Sequence, residues 1–165
     1  MKKVTFIFLV LICSFSAFSQ RAKKPNPYRF GIGAAVYPAL KEPYALSLKF
    51  YTKSGNAFEF FGYNLETGYR LTALFSPYFP INRQGNLRMI IGPGVHVGMW
   101  KDKFKTNSYT TNPIVGIDGI VGMEYRIPKL PLSFQIQYQP NADLIGNNEY
   151  FYRKQWAGAT VKFVL

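Results

Sequence analysis

Large apolar or aromatic side chains recur at every second position through most of this chain. Residues 115–127, VGIDGIVGMEYRI, carry the pattern most plainly. Val115, Ile117, Val121, Met123, Tyr125 and Ile127 alternate with Gly116, Asp118, Ile120, Gly122, Glu124 and Arg126, and Gly119 alone departs from the apolar set. An extended strand sends successive side chains to opposite faces, so the segment reads as a strand with one greasy face and one face of glycine and charge. The same rhythm runs through residues 28–36, 45–51, 57–61, about 68–75, 87–99, 132–138 and 156–165. These are eight consecutive strands, parted by turn-forming stretches such as Lys53-Ser54-Gly55-Asn56 and the bracket of Pro128 and Pro131. A 3.6-residue period persists nowhere, and the pattern predicts an all-β chain.

One face of these strands carries residues such as Phe30, Leu48, Phe60, Val95, Phe134 and Val161. The other carries Arg29, Lys49, Glu59, Arg70, Arg88, His96, Asp118, Glu124, Arg126, Gln135, Gln137 and Lys162. Two architectures accommodate this division. In a soluble lipocalin-like barrel the apolar face points inward; in a transmembrane barrel it meets lipid and the charges fill the lumen. Glycines favour the second. Gly31, Gly33, Gly92, Gly94, Gly98, Gly116, Gly122 and Gly158 all share the charged face. They would weaken a water-exposed face to no purpose, whereas long charged side chains in a narrow lumen need small neighbours. The expected fold is an eight-stranded antiparallel up-and-down transmembrane β-barrel, residues 28–165, in one domain.

The N-terminus points the same way. Lys2 and Lys3 precede an apolar run from Val4 to Ile12, followed by small and polar residues to Ser19. That order predicts a secretory signal peptide, residues 1–19, and the run is too short for a spanning helix. Cleavage after Ser19 removes Cys13, the only cysteine, and lowers the formal charge by two to +10. Residues 20–27 then form a short basic tail with Arg21, Lys23 and Lys24. With the N-terminus periplasmic, the connections at 53–56 and 128–131 are short inner turns, and 76–86 is a longer inner connection. Residues 101–113 and 140–154 are long outer loops. Tyrosines near strand ends (Tyr28, Tyr37, Tyr44, Tyr51, Tyr69, Tyr78, Tyr125, Tyr138 and Tyr150) suit interfacial girdles. The closing strand, ending Val161-Lys162-Phe163-Val164-Leu165, has the alternation read by outer-membrane assembly machinery.

The stretches Gly68–Phe75, Gly92–Gly98 and Gly116–Tyr125, together with Leu144-Ile145-Gly146, resemble a family of small exported β-barrel proteins of Bacteroidetes-type bacteria. The resemblance covers roughly Tyr28 to Leu165. It implies an outer-membrane barrel without an assigned biochemical activity. Tyr138-Gln139-Pro140 departs from the family, whose members often carry Trp-Lys-Pro there.

Candidate chemistry is sparse. Glu59, Arg70, Arg88, His96, Asp118, Glu124, Arg126 and Lys162 are expected to form a lumen charge network. His96, the only histidine, lies near Asp118 or Glu124 of the neighbouring strand. That trio also reads as an acid/base set, but no nucleophile motif accompanies it, and a hydrogen-bond network is the favoured reading. One histidine without a thiolate leaves no metal site, and the strand glycines do not open helices as phosphate loops do. No cofactor is expected. The positive charge is spread over many segments, against nucleic-acid binding. Lys101, Lys103, Lys105, Arg153 and Lys154 lie in the expected outer loops, where they suit lipopolysaccharide phosphates and equally serve as ordinary solubility charge. The expected role is structural or surface-interacting and non-enzymatic, with outer-membrane lipid as a partner. The alternative is a soluble periplasmic carrier of an apolar ligand.

Overall fold

The structure, a computed structural model, describes residues 28–38, 44–65, 68–101, 111–146 and 156–165. Among them are nine strands: β1 (Phe30–Val36), β2 (Tyr44–Tyr51), β3 (Asn56–Leu65), β4 (Gly68–Pro80), β5 (Leu87–Lys101), β6 (Thr111–Arg126), β7 (Leu132–Tyr138), β8 (Asn141–Ile145) and β9 (Ala157–Val164). Every pairing is antiparallel. The order β5-β4-β3-β2-β1-β9-β7-β6 closes on itself through the β5–β6 pairing. β8 does not add a ninth stave. It pairs with β6 beyond β7, and Gly119 N–H donates to the Pro140 carbonyl at 2.7 Å between the two pieces. Pro140 has no N–H to give the ladder, so the stave is interrupted there and resumes as β8. The molecule is a closed eight-stranded up-and-down barrel.

Alternation decides what faces where. Leu46, Ile136, Val95 and Ile117 are half or more exposed on the outside of the wall. Lys49, Glu59, Glu124 and Lys162 are fully buried inside it. Among the described side chains, none on the outward face of a strand is charged. Inward glycines lie where the opposite strand or a lumen side chain comes close. A Cβ on Gly33 would strike the Val161 carbonyl, and one on Gly92 the Phe75 carbonyl. The inner-face placement of glycine therefore has a packing cause.

Four expectations need correction. Residues 141–145 belong to the wall and not to an outer loop, because Pro140 interrupts only hydrogen bonding, and the ends of the loop expected at 101–113 do too, with Lys101 in β5 and residues 111–113 in β6. The connection expected at 76–86 is a tight turn, since β4 continues to Pro80 and Ile81 N–H bonds the Leu87 carbonyl across it. Tyr37, Tyr51 and Tyr78 are buried in the lumen, while Tyr44, Tyr69, Tyr125 and Tyr138 do face outward. The first three share the parity of Ala35, Lys49 and Ser76, and parity outweighs position along the strand. Arg29 is exposed, preceding β1 at the barrel's rim. Residues 1–27, with the expected signal peptide and basic tail, lie outside the described residues, as does Tyr150.

Candidate functional site

The lumen is the only place where the described residues gather chemistry, and it is layered along the barrel axis. The end holding Tyr28, Leu165 and the turns at 52–55, 81–86 and 127–131 is called the near end here, and the opposite end the far end. In the near-end layer, Lys49 on β2 places Nζ 2.8 Å from Glu59 Oε2, 2.9 Å from Glu124 Oε2 and 2.7 Å from Gln135 Oε1. Lys162 on β9 bonds Glu59 Oε1 and Gln135 Oε1, each at 2.6 Å. Arg126 Nε reaches Glu124 Oε1 at 2.9 Å, and the Tyr78 hydroxyl donates to Glu124 Oε2 at 2.7 Å. β2 and β6 stand opposite each other in the eight-stave ring, so the Lys49–Glu124 pair crosses the lumen. Excluding water from these ions is costly, and only multiple short partners repay it. Each carboxylate here has several.

The middle layer is aromatic and amide. The Tyr63 hydroxyl donates to Gln139 Oε1 at 2.9 Å, and Gln139 Nε2 donates to the Tyr37 hydroxyl at 2.8 Å. Gln137 also donates to Tyr37. Trp156 packs edge-on against Tyr37 and Tyr63, closing the bore with rings.

At the far end, Arg70 on β4 pairs with Asp118 on β6 and lies 4.3 Å from the Trp156 ring centroid. His96 on β5 contacts two carboxylates, with Nδ1 2.7 Å from Asp118 Oδ2 and Nε2 2.9 Å from Asp143 Oδ1. Gly116 makes this possible. It pairs with His96 on one side and Asp143 on the other, and a Cβ there would collide with the His96 ring. The imidazole therefore lies across β6 and joins β5 to β8.

Of the residues expected in a lumen network, Glu59, Glu124, Arg126 and Lys162 meet in the near-end layer. Arg70, His96 and Asp118 meet in the far-end layer. His96 contacts Asp118 and not Glu124. Arg88 stands at the near-end mouth, bonding the Gly85 carbonyl at 2.7 Å, 5.5 Å from the Tyr78 ring centroid, with no carboxylate partner among the described residues. Lys49 and Asp143 were missing from the expected network. The parity of Lys49 placed it on the polar face, and Asp143 was hidden by the loop assignment after Pro140. All four acidic residues among those described, Glu59, Asp118, Glu124 and Asp143, turn inward. Of the expected outer-loop cations, Lys101 ends β5, and Lys103, Lys105, Arg153 and Lys154 lie outside the described residues.

Chemically, this arrangement plugs and braces. Carboxylates engage both nitrogens of His96, so neither is offered to a hydroxyl nucleophile. Among the described residues no group of three or more His, Cys, Asp or Glu side chains is placed to hold a metal ion. The near-end rim is cationic, with exposed Arg29, Lys53, Arg83 and Lys129, one at the start of β1 and one at each turn. No family model, curated protein or solved structure matches the chain.

Proposed function

We propose that this chain is a small outer-membrane β-barrel, exported by a cleaved signal peptide, with a structural or surface-interaction role and no catalysis. The observation carrying this reading is the inversion of the wall. Every charged side chain described within the strands turns inward, and, Asn64 apart, the described outward face from Phe30 to Leu165 is apolar. The eight staves close into a ring through the β5–β6 pairing, and closure is the condition for strands to cross lipid. The near-end cations beneath exposed Phe50, Phe58 and Phe134 suit a phosphate headgroup layer under an aromatic belt. Assembly machinery and lipid are its expected partners, with lipopolysaccharide at the opposite end. Membership of the Bacteroidetes-type barrel family remains part of this proposal. The alternative, a soluble carrier, requires an apolar cup, whereas this lumen is packed with paired polar side chains. Fractionation tests the reading. The protein is expected with outer membranes, and to migrate faster on SDS gels unheated than boiled. Recovery in the soluble periplasmic fraction would overturn it.

A further inference from the structure

We propose that the near-end mouth of the barrel binds a dianionic phosphate group, gripped by Arg88 beside Arg126. Charge at this end does not balance. Four buried cations, Lys49, Arg88, Arg126 and Lys162, share two buried carboxylates, Glu59 and Glu124, leaving an excess of two positive charges. The other described acids, Asp118 and Asp143, lie in the far-end layer beyond the aromatic plug. The remaining acidic residues of the chain, Glu42, Glu66, Asp102 and Glu149, fall in segments that connect strands at their far ends, and residues 1–27 contain none. No further acidic side chain is therefore tethered to a near-end strand terminus.

The excess is concentrated on Arg88. Its cross-strand partner is Glu124, yet Glu124 turns both oxygens to other groups, Oε2 to Lys49 and Tyr78 and Oε1 to Arg126. Arg126 N–H bonds the Asn86 carbonyl at 2.9 Å, which makes Arg88 and Arg126 diagonal neighbours on the inner face of β5 and β6. Both guanidiniums approach the Tyr78 ring, with Cζ at 5.5 and 5.9 Å from its centroid. Like charges held this close repel, and an anion beside them relieves the repulsion. Arg88 is built to receive one. Its Nε donates to the Gly85 carbonyl at 2.7 Å, which fixes the head against the 81–86 turn. Its Nη nitrogens have no hydrogen-bond partner among the described residues, although the residue is only 7% exposed. A fixed fork with both Nη groups open takes two oxygens of one phosphate. Exposed Arg29, Lys53, Arg83 and Lys129 surround the mouth and raise the local concentration of anions. A phosphate monoester carries about −1.5 to −2 near neutral pH and matches the excess, whereas a carboxylate or a phosphodiester carries a single charge. The monoester is that of a soluble molecule or of a lipid headgroup. The site needs the closed barrel and not the membrane assignment.

Titration of the full-length folded protein with glycerol phosphate, in nonionic detergent and phosphate-free buffer, tests the site. The side-chain Nε–H resonance of Arg88 is expected to move along a saturable one-site curve, while that of Arg70 in the far-end layer stays in place. By calorimetry Arg88→Gln should weaken binding about tenfold or more, and Arg88→Lys, which keeps the charge and loses the fork, by less. Lowering the pH from about 7.5 to about 5.5 protonates most of the monoester, so its affinity should fall about fourfold while that of sulfate holds. Nanodiscs of phosphatidylcholine, with and without phosphatidic acid, identify the source. The same Arg88 shift with phosphatidic acid assigns a lipid headgroup, and a shift with glycerol phosphate alone assigns a soluble ligand; either supports the site. An Arg88 resonance unmoved by glycerol phosphate, sulfate and phosphatidic acid alike would overturn it. So would undiminished binding in Arg88→Gln, or equal affinity for glycerol phosphate at both pH values.

Discussion

At the near end, Lys49 and Glu124 meet across the full width of the lumen. At the far end, Arg70, His96, Asp118 and Asp143 join strands that are adjacent or one stave removed along a single arc of the wall. The residue types are similar and the mechanical consequences differ. A cross-lumen pair ties opposite walls together, and its loss leaves buried ions on several staves at once. Pairs within one arc of the wall reinforce strands that the ladder already holds together through at most one intervening stave. Brace and staple are thus distinguished by which staves they join.

Breaking the brace should have the largest effect. Glu124→Ala removes a partner from Lys49, Arg126 and Tyr78 together, and a loss of about 3–5 kcal/mol is expected in denaturant unfolding from detergent. A midpoint within error of the parent would show that the near-end ions do not hold opposite walls. The wall itself comes next. Arg in place of Val121 or Ile136 should cost about 2–4 kcal/mol and impair assembly if these sites face mid-membrane. Spin labels at the two positions should be relaxed by lipid-dissolved oxygen and shielded from aqueous nickel reagents. A water-soluble, fully folded Val121→Arg protein would sink the lipid-facing assignment.

The staple should be weaker. Asp118→Ala leaves Arg70 against Trp156 and His96 against Asp143, and a loss of about 1.5–3 kcal/mol is expected, below that of Glu124→Ala. Reversal of that order in parallel unfolding curves would remove the distinction between the ends. Tyr37→Phe, between the two layers, deletes one hydroxyl reached by Gln137, Gln139 and Tyr63. About 1 kcal/mol of destabilisation is expected. An unfolding midpoint within error of the parent would show that this hydroxyl adds nothing to the aromatic layer.

Alternation is a local property, set by the geometry of one strand, so strand number and inner and outer faces could be read directly from residues such as Leu48, Lys49 and Phe50. Local parity also contained the places of Tyr37, Tyr51 and Tyr78, which their closeness to strand ends obscured. Asp143 was lost because a proline usually ends a strand. Here Pro140 removes one donor while its neighbours keep pairing with β6 and β9. Which inward charges meet was not legible in the same way. Lys49 and Glu124 are separated by 75 positions and sit on opposite walls, and their contact depends on barrel closure, stave tilt and the register of every intervening pair. The chain by itself determined two faces and a barrel's worth of strands, since each strand's pleat sorts its own side chains. Only closure decided that Glu124 braces the lumen while His96 lies over Gly116 to reach Asp143, because those distances exist only once all eight staves share one ring.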